Sequence, residues 1–261
     1  LSFTAHNIRL PDGRETFPEI GYLVADSTWM KAAARVLRVV YGEALPEKSI
    51  ADLGCLEGGY TAEFSRMGMR AVGIEVRQAN FENCQRVRQE LGLPNLDFKK
   101  DDVWNLAEYG QFDAMFCCGL LYHLDQPAKF IRLMADHARG VVIINTHYAV
   151  EKESAVFKLS PLTENEGLPG KWYAEHNAES ESEIEAFKWT SWMNKLSFWL
   201  TKPAILQTLQ DCGFDLVFEQ SDWLHDGIRP SMEGGYYSTH HRGMFVGIRS
   251  AEIQRAAAGR R

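Results

Sequence analysis

No apolar run approaches the ~18 residues that a membrane-spanning helix needs, and the N-terminus, LSFTAHNIRL, lacks a basic stretch followed by an apolar one. Neither a membrane span nor a secretory leader is expected. Cysteine is sparse: Cys55, Cys84, Cys117, Cys118 and Cys212 are an odd number and form no C-x-x-C pair. That pattern argues against a disulfide framework and a zinc site, so a reducing, cytoplasmic setting without a metal is expected. Cationic excess is also missing. A net charge of −7 disfavours a protein that must hold a long polyanion through clustered Lys and Arg, although it leaves room for a local basic patch. There is no internal repeat or low-complexity linker.

What is present suffices for one large domain with an insertion: 261 residues, 45% of them hydrophobic. Residues 1–45 read as an appendage, a hairpin turn at Pro11-Asp12-Gly13 followed by a helix that starts at Ser27 or Thr28 and stops at Gly42. A strand–helix alternation then occupies 46–146, with strands at 50–53, 71–75, 96–100, 112–118 and 141–145. The apolar run FDAMFCC is of the kind buried on both faces of a parallel sheet. The expected fold is α/β, a doubly wound, mostly parallel seven-stranded sheet. After the fifth strand the rhythm breaks over 147–200, an aromatic-rich insertion whose length suggests a lid. Residues 201–250 return to a helix and two strands, expected to be an antiparallel pair at a sheet edge without an intervening helix. Residues 251–261 form a tail.

The stretch SIADLGCLEGG organises the rest. It joins an apolar strand to a helix through a tight glycine turn, which brings backbone N–H groups to the carboxyl end of a central strand. The dinucleotide fingerprint G-x-G-x-x-G is absent, because the glycines stand at 54, 58 and 59. Asp52-Leu-Gly54-Cys55-Leu56-Glu-Gly58 instead resembles motif I of the class I S-adenosylmethionine (SAM) methyltransferases, D/E-x-G-x-G-x-G, with Leu56 where that family has its middle glycine. The resemblance continues in order through residue 146. It implies that Glu75 accepts hydrogen bonds from both ribose hydroxyls of SAM and that Asp102, with Val103 beside it, reads the adenine. A one-residue slip would give that role to Asp101. Cys118 and Gly119 would line the methionine end. The phrase GLLYHLDQP and the segment SFWLTKPAILQTLQDCGF resemble a branch that includes the tRNA wobble-uridine carboxymethyltransferases, which use carboxy-SAM, and Tyr122 matches a carboxylate-reading position there.

An acceptor hydroxyl, phenol or amine needs a base, and histidine suits that role near neutral pH. His147, directly after the fifth strand, is the first candidate; His123 is the second, and His240 and His241 lie in the loop before the last strand. Tyr122, Trp172, Tyr173 and Trp192 are candidate substrate contacts. The expected function is SAM-dependent methyl transfer to an O or N atom of a small molecule. A tRNA-modifying (carboxy)methyltransferase and a non-catalytic SAM-binding partner are the alternatives.

Overall fold

The structure is a computed structural model that describes residues 2–258. The N-terminal segment turns at Pro11–Gly13, where the Leu10 N–H donates to the Arg14 carbonyl, and a single antiparallel bridge joins Arg9 and Glu15. Helix α1 (Thr28–Tyr41) begins where the Ser27 hydroxyl accepts the Met30 N–H and ends at Gly42.

The core follows as β1 (Ser49–Leu53), α2 (Gly59–Arg66), β2 (Arg70–Glu75), α3 (Gln78–Leu91), β3 (Leu96–Lys100), β4 (Phe112–Cys118), α4 (Pro127–His137) and β5 (Ala138–His147). With β9 (Leu216–Gln220) and β10 (Arg242–Ile248) the strands form one seven-stranded sheet in the order β3-β2-β1-β4-β5-β10-β9. Only β10 runs against its neighbours. The near-continuous apolar strands are explained by two cores. Along β4 and β5, Ala114, Phe116, Val141 and Ile143 pack towards α1 and α2, whereas Met115, Cys117, Val142 and Ile144 pack towards α4. These eight side chains meet a layer of helices on one face or the other, so a polar residue at any of them would lose core area.

The insertion is more regular than its sequence. It forms a second, three-stranded antiparallel sheet from β6 (Thr163–Asn165), β7 (Leu168–Ala174) and β8 (Leu196–Leu200), with the short helix α5 (Glu181–Ala186) between the last two. The β6–β7 turn has both Glu166 and Gly167 at positive φ, a two-residue hairpin without the usual Asn-Gly signal. Glu166 tolerates that conformation because its carboxylate accepts the Ala128 and Lys129 N–H groups at 2.9 and 2.7 Å, capping α4 and fastening the insertion to the core. After helix α6 (Lys202–Asp211) and β9, the last connection also differs from expectation. It carries a 3₁₀ turn at Asp222–Gly227 and helices α7 (Ile228–Gly234) and α8 (Tyr236–His240) before β10. Its glycines and short apolar spacing conceal the helical period. Helix α9 (Ser250–Ala258) closes the described chain, and among the described residues no helix is long and apolar enough to cross a membrane.

Candidate functional site

A cavity of about 470 Å³ lies at the carboxyl ends of β1 to β4, covered by the N-terminal segment and by residues 188–194 of the insertion. Its floor is the glycine turn. Gly54, Leu56 and Gly58 all take left-handed backbone conformations, with φ of 68°, 53° and 78°. Leu56 therefore keeps the turn's shape without being glycine, at a cost of ~1–2 kcal/mol for a side chain there. The Leu56 N–H donates to Glu75 Oε2 at 2.9 Å, which holds it in place. Gly58 has no such freedom of identity, since a Cβ there would sit 2.6 Å from the Phe98 ring. The first free donor of α2, the Gly59 N–H, is bound by His6 Nδ1 at 2.9 Å. A phosphate, which would use such a donor, finds it already engaged.

Glu75, at the tip of β2, is buried yet lines the cavity. Its Oε1 accepts the Arg77 N–H at 2.7 Å and Asn80 Nδ2 at 3.3 Å. Burial pushes its carboxyl up, against the hydrogen bonds from Arg77, Asn80 and Leu56. Asp102 lines the cavity and its Oδ1 accepts the Trp104 N–H at 3.0 Å, capping a 3₁₀ turn. Asp101 is engaged elsewhere, with Tyr109 at 2.5 Å and Asn105 at 2.7 Å. Of the two neighbours, Asp102 faces the site. Val103, Cys118, Gly119, Tyr122, His123 and Trp192 line the same cavity. Cys118 is no thiolate there, because burial pushes its thiol up to about 11.

Several expected site residues lie outside the lining. Asp52 accepts the Thr61 hydroxyl at 2.6 Å beneath the turn, and burial pushes its carboxyl up to about 7. Cys55 packs under the turn with its sulfur 3.8 Å from that of Cys84. Gly58 caps α2 from behind. His147 is the chief correction. Strand β5 runs on through it, so its ring is buried, stacked on Trp199 at 5.1 Å and edge-on to Tyr122, with Nδ1 donating to the His240 carbonyl at 2.7 Å. Burial, with the nearby Arg242 charge, holds it down to about 3, a poor base for neutral pH. His240 and His241 are also outside the lining; His240 pairs with Thr239 and stacks on Tyr236. Trp172 packs on Phe198 and Tyr173 on Trp199, inside the insertion's own sheet.

His123 is the histidine that the fold brings to the cavity. Its Nδ1 lies 3.0 Å from both oxygens of Glu175, which follows β7 and is nearly inaccessible. Burial raises the Glu175 carboxyl, but the bonds from His123 and Ser191 outweigh it and hold the group below the usual carboxylate range. A carboxylate on Nδ1 fixes the ring tautomer and leaves Nε2 as acceptor, the arrangement a general base requires. Arg242 enters the cavity from β10, where Nε donates to Asn145 Oδ1 at 2.7 Å and the guanidinium sits 4.6 Å from the Trp29 ring and 5.6 Å from that of Tyr122. It has no carboxylate partner among the described residues.

The cover is fastened to the cofactor-type turn itself. Buried Glu57 accepts the N–H groups of Thr4, Ala5 and His6 at 2.8–3.0 Å and the Lys188 ammonium at 2.6 Å. Arg77, two residues beyond Glu75, donates to the carbonyls of Ile184 and Thr190 and stacks over Trp192. Glu57, Arg77, Asn80, Glu175, Lys188 and Arg242 had no motif to mark them. Each is recruited by tertiary contact.

Residues 50–140 match a family model described as a methyltransferase domain. Over that segment the chain is similar to methyltransferase domains. The chain is also similar to a ubiquinone biosynthesis O-methyltransferase from Hahella chejuensis, 31% identical over 98 residues, 37% of this chain and 41% of the relative. A tRNA U34 carboxymethyltransferase from Campylobacter jejuni subsp. doylei is 27% identical over 148 residues, 53% of this chain and 48% of the relative. The chain thus spans less than half the length of these curated relatives. Among solved structures, the N-terminal domain of EvdMO1 with S-adenosylhomocysteine bound is similar with a TM-score of 0.61 at 23% identity, covering 87% of this chain and 83% of that one. The 1,6-didemethyltoxoflavin N1-methyltransferase of Burkholderia thailandensis gives 0.56 at 17% identity, over 86% and 80%. The methyltransferase fold therefore extends well beyond the matched segment. SAM is the cofactor of this fold, and the paired carboxylates, the engaged α2 donor and the cavity's size fit it.

Proposed function

We propose that the protein transfers a methyl group from SAM to an oxygen or nitrogen atom of a small molecule held between the core and the insertion. The observation that carries this reading is the convergence of Glu75 and Asp102 with the His123–Glu175 pair in one cavity. When bound, SAM supplies a methyl group on a sulfonium, open to in-line displacement with a neutral thioether as leaving group. Glu75 and the Leu56 turn orient the ribose, and Asp102 with Val103 sets the adenine. His123 Nε2 takes the acceptor's proton while Glu175 keeps Nδ1 protonated and stabilises the charge that develops on the ring, a contribution of ~10²–10⁴-fold in rate. Tyr122, Trp29 and Trp192 exclude water from the displacement and offer ring faces to cations. The net charge of −7 and the aromatic lining favour a small acceptor over RNA.

Carboxymethyl transfer is the second reading, favoured by Arg242, whose buried guanidinium beside Tyr122, without a carboxylate partner among the described residues, suits a carboxylate on the transferred group. The experiment is transfer of radiolabel from methyl-labelled SAM into a cell extract, separated into small-molecule and RNA fractions, with carboxy-SAM in a parallel reaction. Label in the small-molecule fraction is expected. Label confined to RNA, with affinity falling steeply in salt, would replace the acceptor assignment, and transfer from carboxy-SAM alone would replace the group transferred.

A further inference from the structure

Arg242 is 9% exposed, lines the cavity and forms no ion pair among the described residues. The other strong cations of the lining are engaged: Lys188 is paired with Glu57, and Arg77 donates to main-chain carbonyls of the insertion. A guanidinium cannot shed its proton, so burial leaves a charge in need of a counter-ion. Its nearest titratable neighbours are Cys118, Tyr122 and Tyr236, a thiol and two phenols. Burial pushes Cys118 and Tyr122 upward, so neither supplies negative charge at neutral pH.

The guanidinium is also aimed. Fully buried Asn145 accepts Nε through its amide oxygen at 2.7 Å, and the rings of Trp29 and Tyr122 flank the group. Below it, the Gly119 N–H donates to the Asn145 carbonyl at 2.9 Å, and Gly119 takes φ 78°. A Cβ on Gly119 would meet Arg242 Nη2 at 3.3 Å and the Tyr122 hydroxyl at 3.8 Å, with nothing nearer. The glycine thus leaves open a space that two donors face, one from a fork and one from a phenol. A carboxylate, planar with two accepting oxygens, suits that pair. The His123 ring stands 4.2 Å from the Tyr122 ring, which places the base next to the same space.

SAM does not supply the missing charge, because its sulfonium and ammonium outweigh its one carboxylate. Its entry adds positive charge near an unpaired cation, and an anionic acceptor relieves that conflict. We propose that the acceptor is a hydroxy or amino carboxylic acid, its carboxylate held by Arg242 and Tyr122 and its hydroxyl or amine turned towards His123. The proposal rests on the methyl-transfer reading above and names its substrate class. In the displacement the acceptor oxygen or nitrogen bonds to the methyl carbon, the C–S electron pair leaves on sulfur, and the acceptor's proton passes to His123 Nε2. The carboxylate takes no part beyond fixing the molecule's position.

The test begins with the product. The full chain, methyl-labelled SAM and a small-molecule extract are incubated, and the labelled product is followed by capillary electrophoresis. Its charge should become more positive between about pH 5 and pH 2, the range in which carboxylates titrate and hydroxyls, phenols and amines do not. Unchanged mobility over that interval overturns the proposal, and this measurement needs no variant. In the second part, benzoate and benzamide are titrated into the chain saturated with S-adenosylhomocysteine, with tryptophan fluorescence as the readout. Benzoate should bind the wild type and lose roughly tenfold or more in Arg242→Gln, whereas benzamide should not distinguish the two proteins. Benzoate that binds the wild type no better than benzamide overturns the proposal. So does a tenfold loss of S-adenosylhomocysteine affinity in Arg242→Gln with benzoate unaffected, which would give the guanidinium to the cofactor's own carboxylate. Transfer from carboxy-SAM abolished in Arg242→Gln, with transfer from SAM intact, would give it to the transferred group and overturn the proposal too. No label from SAM in any product would instead remove the methyl-transfer reading, so the failures are distinguishable.

Discussion

Lowering the pH from 7.5 to 5 should loosen the N-terminal strap over the cavity, and His6 sets the size of the effect. Its Nδ1 accepts the Gly59 N–H, so the ring must stay neutral on that side, and burial holds it down to about 4 from an ordinary 6.5. Because the folded value is depressed, the unfolded chain binds more protons between these two values, and stability is lost as pH falls through that window. At pH 5 the unfolded chain's His6 is almost fully protonated and the folded chain's is barely so, which corresponds to ~2 kcal/mol lost relative to pH 7.5. His147 contributes with the same sign, so a variant is needed to isolate the strap. His6→Gln retains a carbonyl acceptor for Gly59 and cannot titrate. Urea unfolding at both pH values should show the wild type losing about 2 kcal/mol more than His6→Gln. Amide exchange at Thr4–His6 should accelerate in the wild type over the same interval. Equal losses in the two proteins would refute the role given to His6.

Other outcomes follow from the same geometry. His123→Gln should lower methyl transfer by ~10²–10⁴-fold with S-adenosylhomocysteine affinity retained, whereas His147→Gln should leave turnover within about threefold once its stability loss is allowed for; the reverse ranking in kcat would return the base role to His147. Lys188→Met removes the ammonium from buried Glu57 and should speed dissociation of S-adenosylhomocysteine about five- to tenfold in stopped-flow, the discount reflecting Lys188's partial exposure. An unchanged off-rate would show that the cover opens without breaking that contact. For Leu56→Gly, relief of ~1–2 kcal/mol of backbone strain is set against ~0.5–1 kcal/mol of chain entropy, so unfolding free energy should stay within about 1 kcal/mol of wild type. A loss well beyond that would mean the Leu56 side chain, not its backbone, holds the turn.

The parallel core was legible because its signals are local. A strand buried on both faces needs an unbroken apolar run, and FDAMFCC could be little else; Ser27 and Gly42 announced the ends of α1 in their own chemistry. That Gly54, Glu75, Asp102 and Gly119 would meet in one cavity was legible for a related reason, since each sits at or just beyond a strand end whose position the sheet dictates. The insertion was not, because its hairpin turns on Glu166-Gly167, held by a contact to α4 that no local pattern encodes. His147 was expected at the cleft and lies outside its lining for want of two residues: β5 extends past Asn145 through His147, which draws that ring into an aromatic cluster. His123 depends on Glu175, 52 positions away, and Arg242 is one arginine at the start of an apolar strand. Such pairings appear only when the chain is folded.

The most direct measurement is thermal stabilisation of the wild type and Glu75→Ala by SAM, S-adenosylhomocysteine and NAD. A ligand at a hundred times its dissociation constant should add ~2.7 kcal/mol to the folded state. SAM and S-adenosylhomocysteine should stabilise the wild type, NAD should not, and Glu75→Ala should lose most of the response. No response of the wild type to either sulfur compound, or stabilisation by NAD instead, would contradict the assignment of this cavity to SAM.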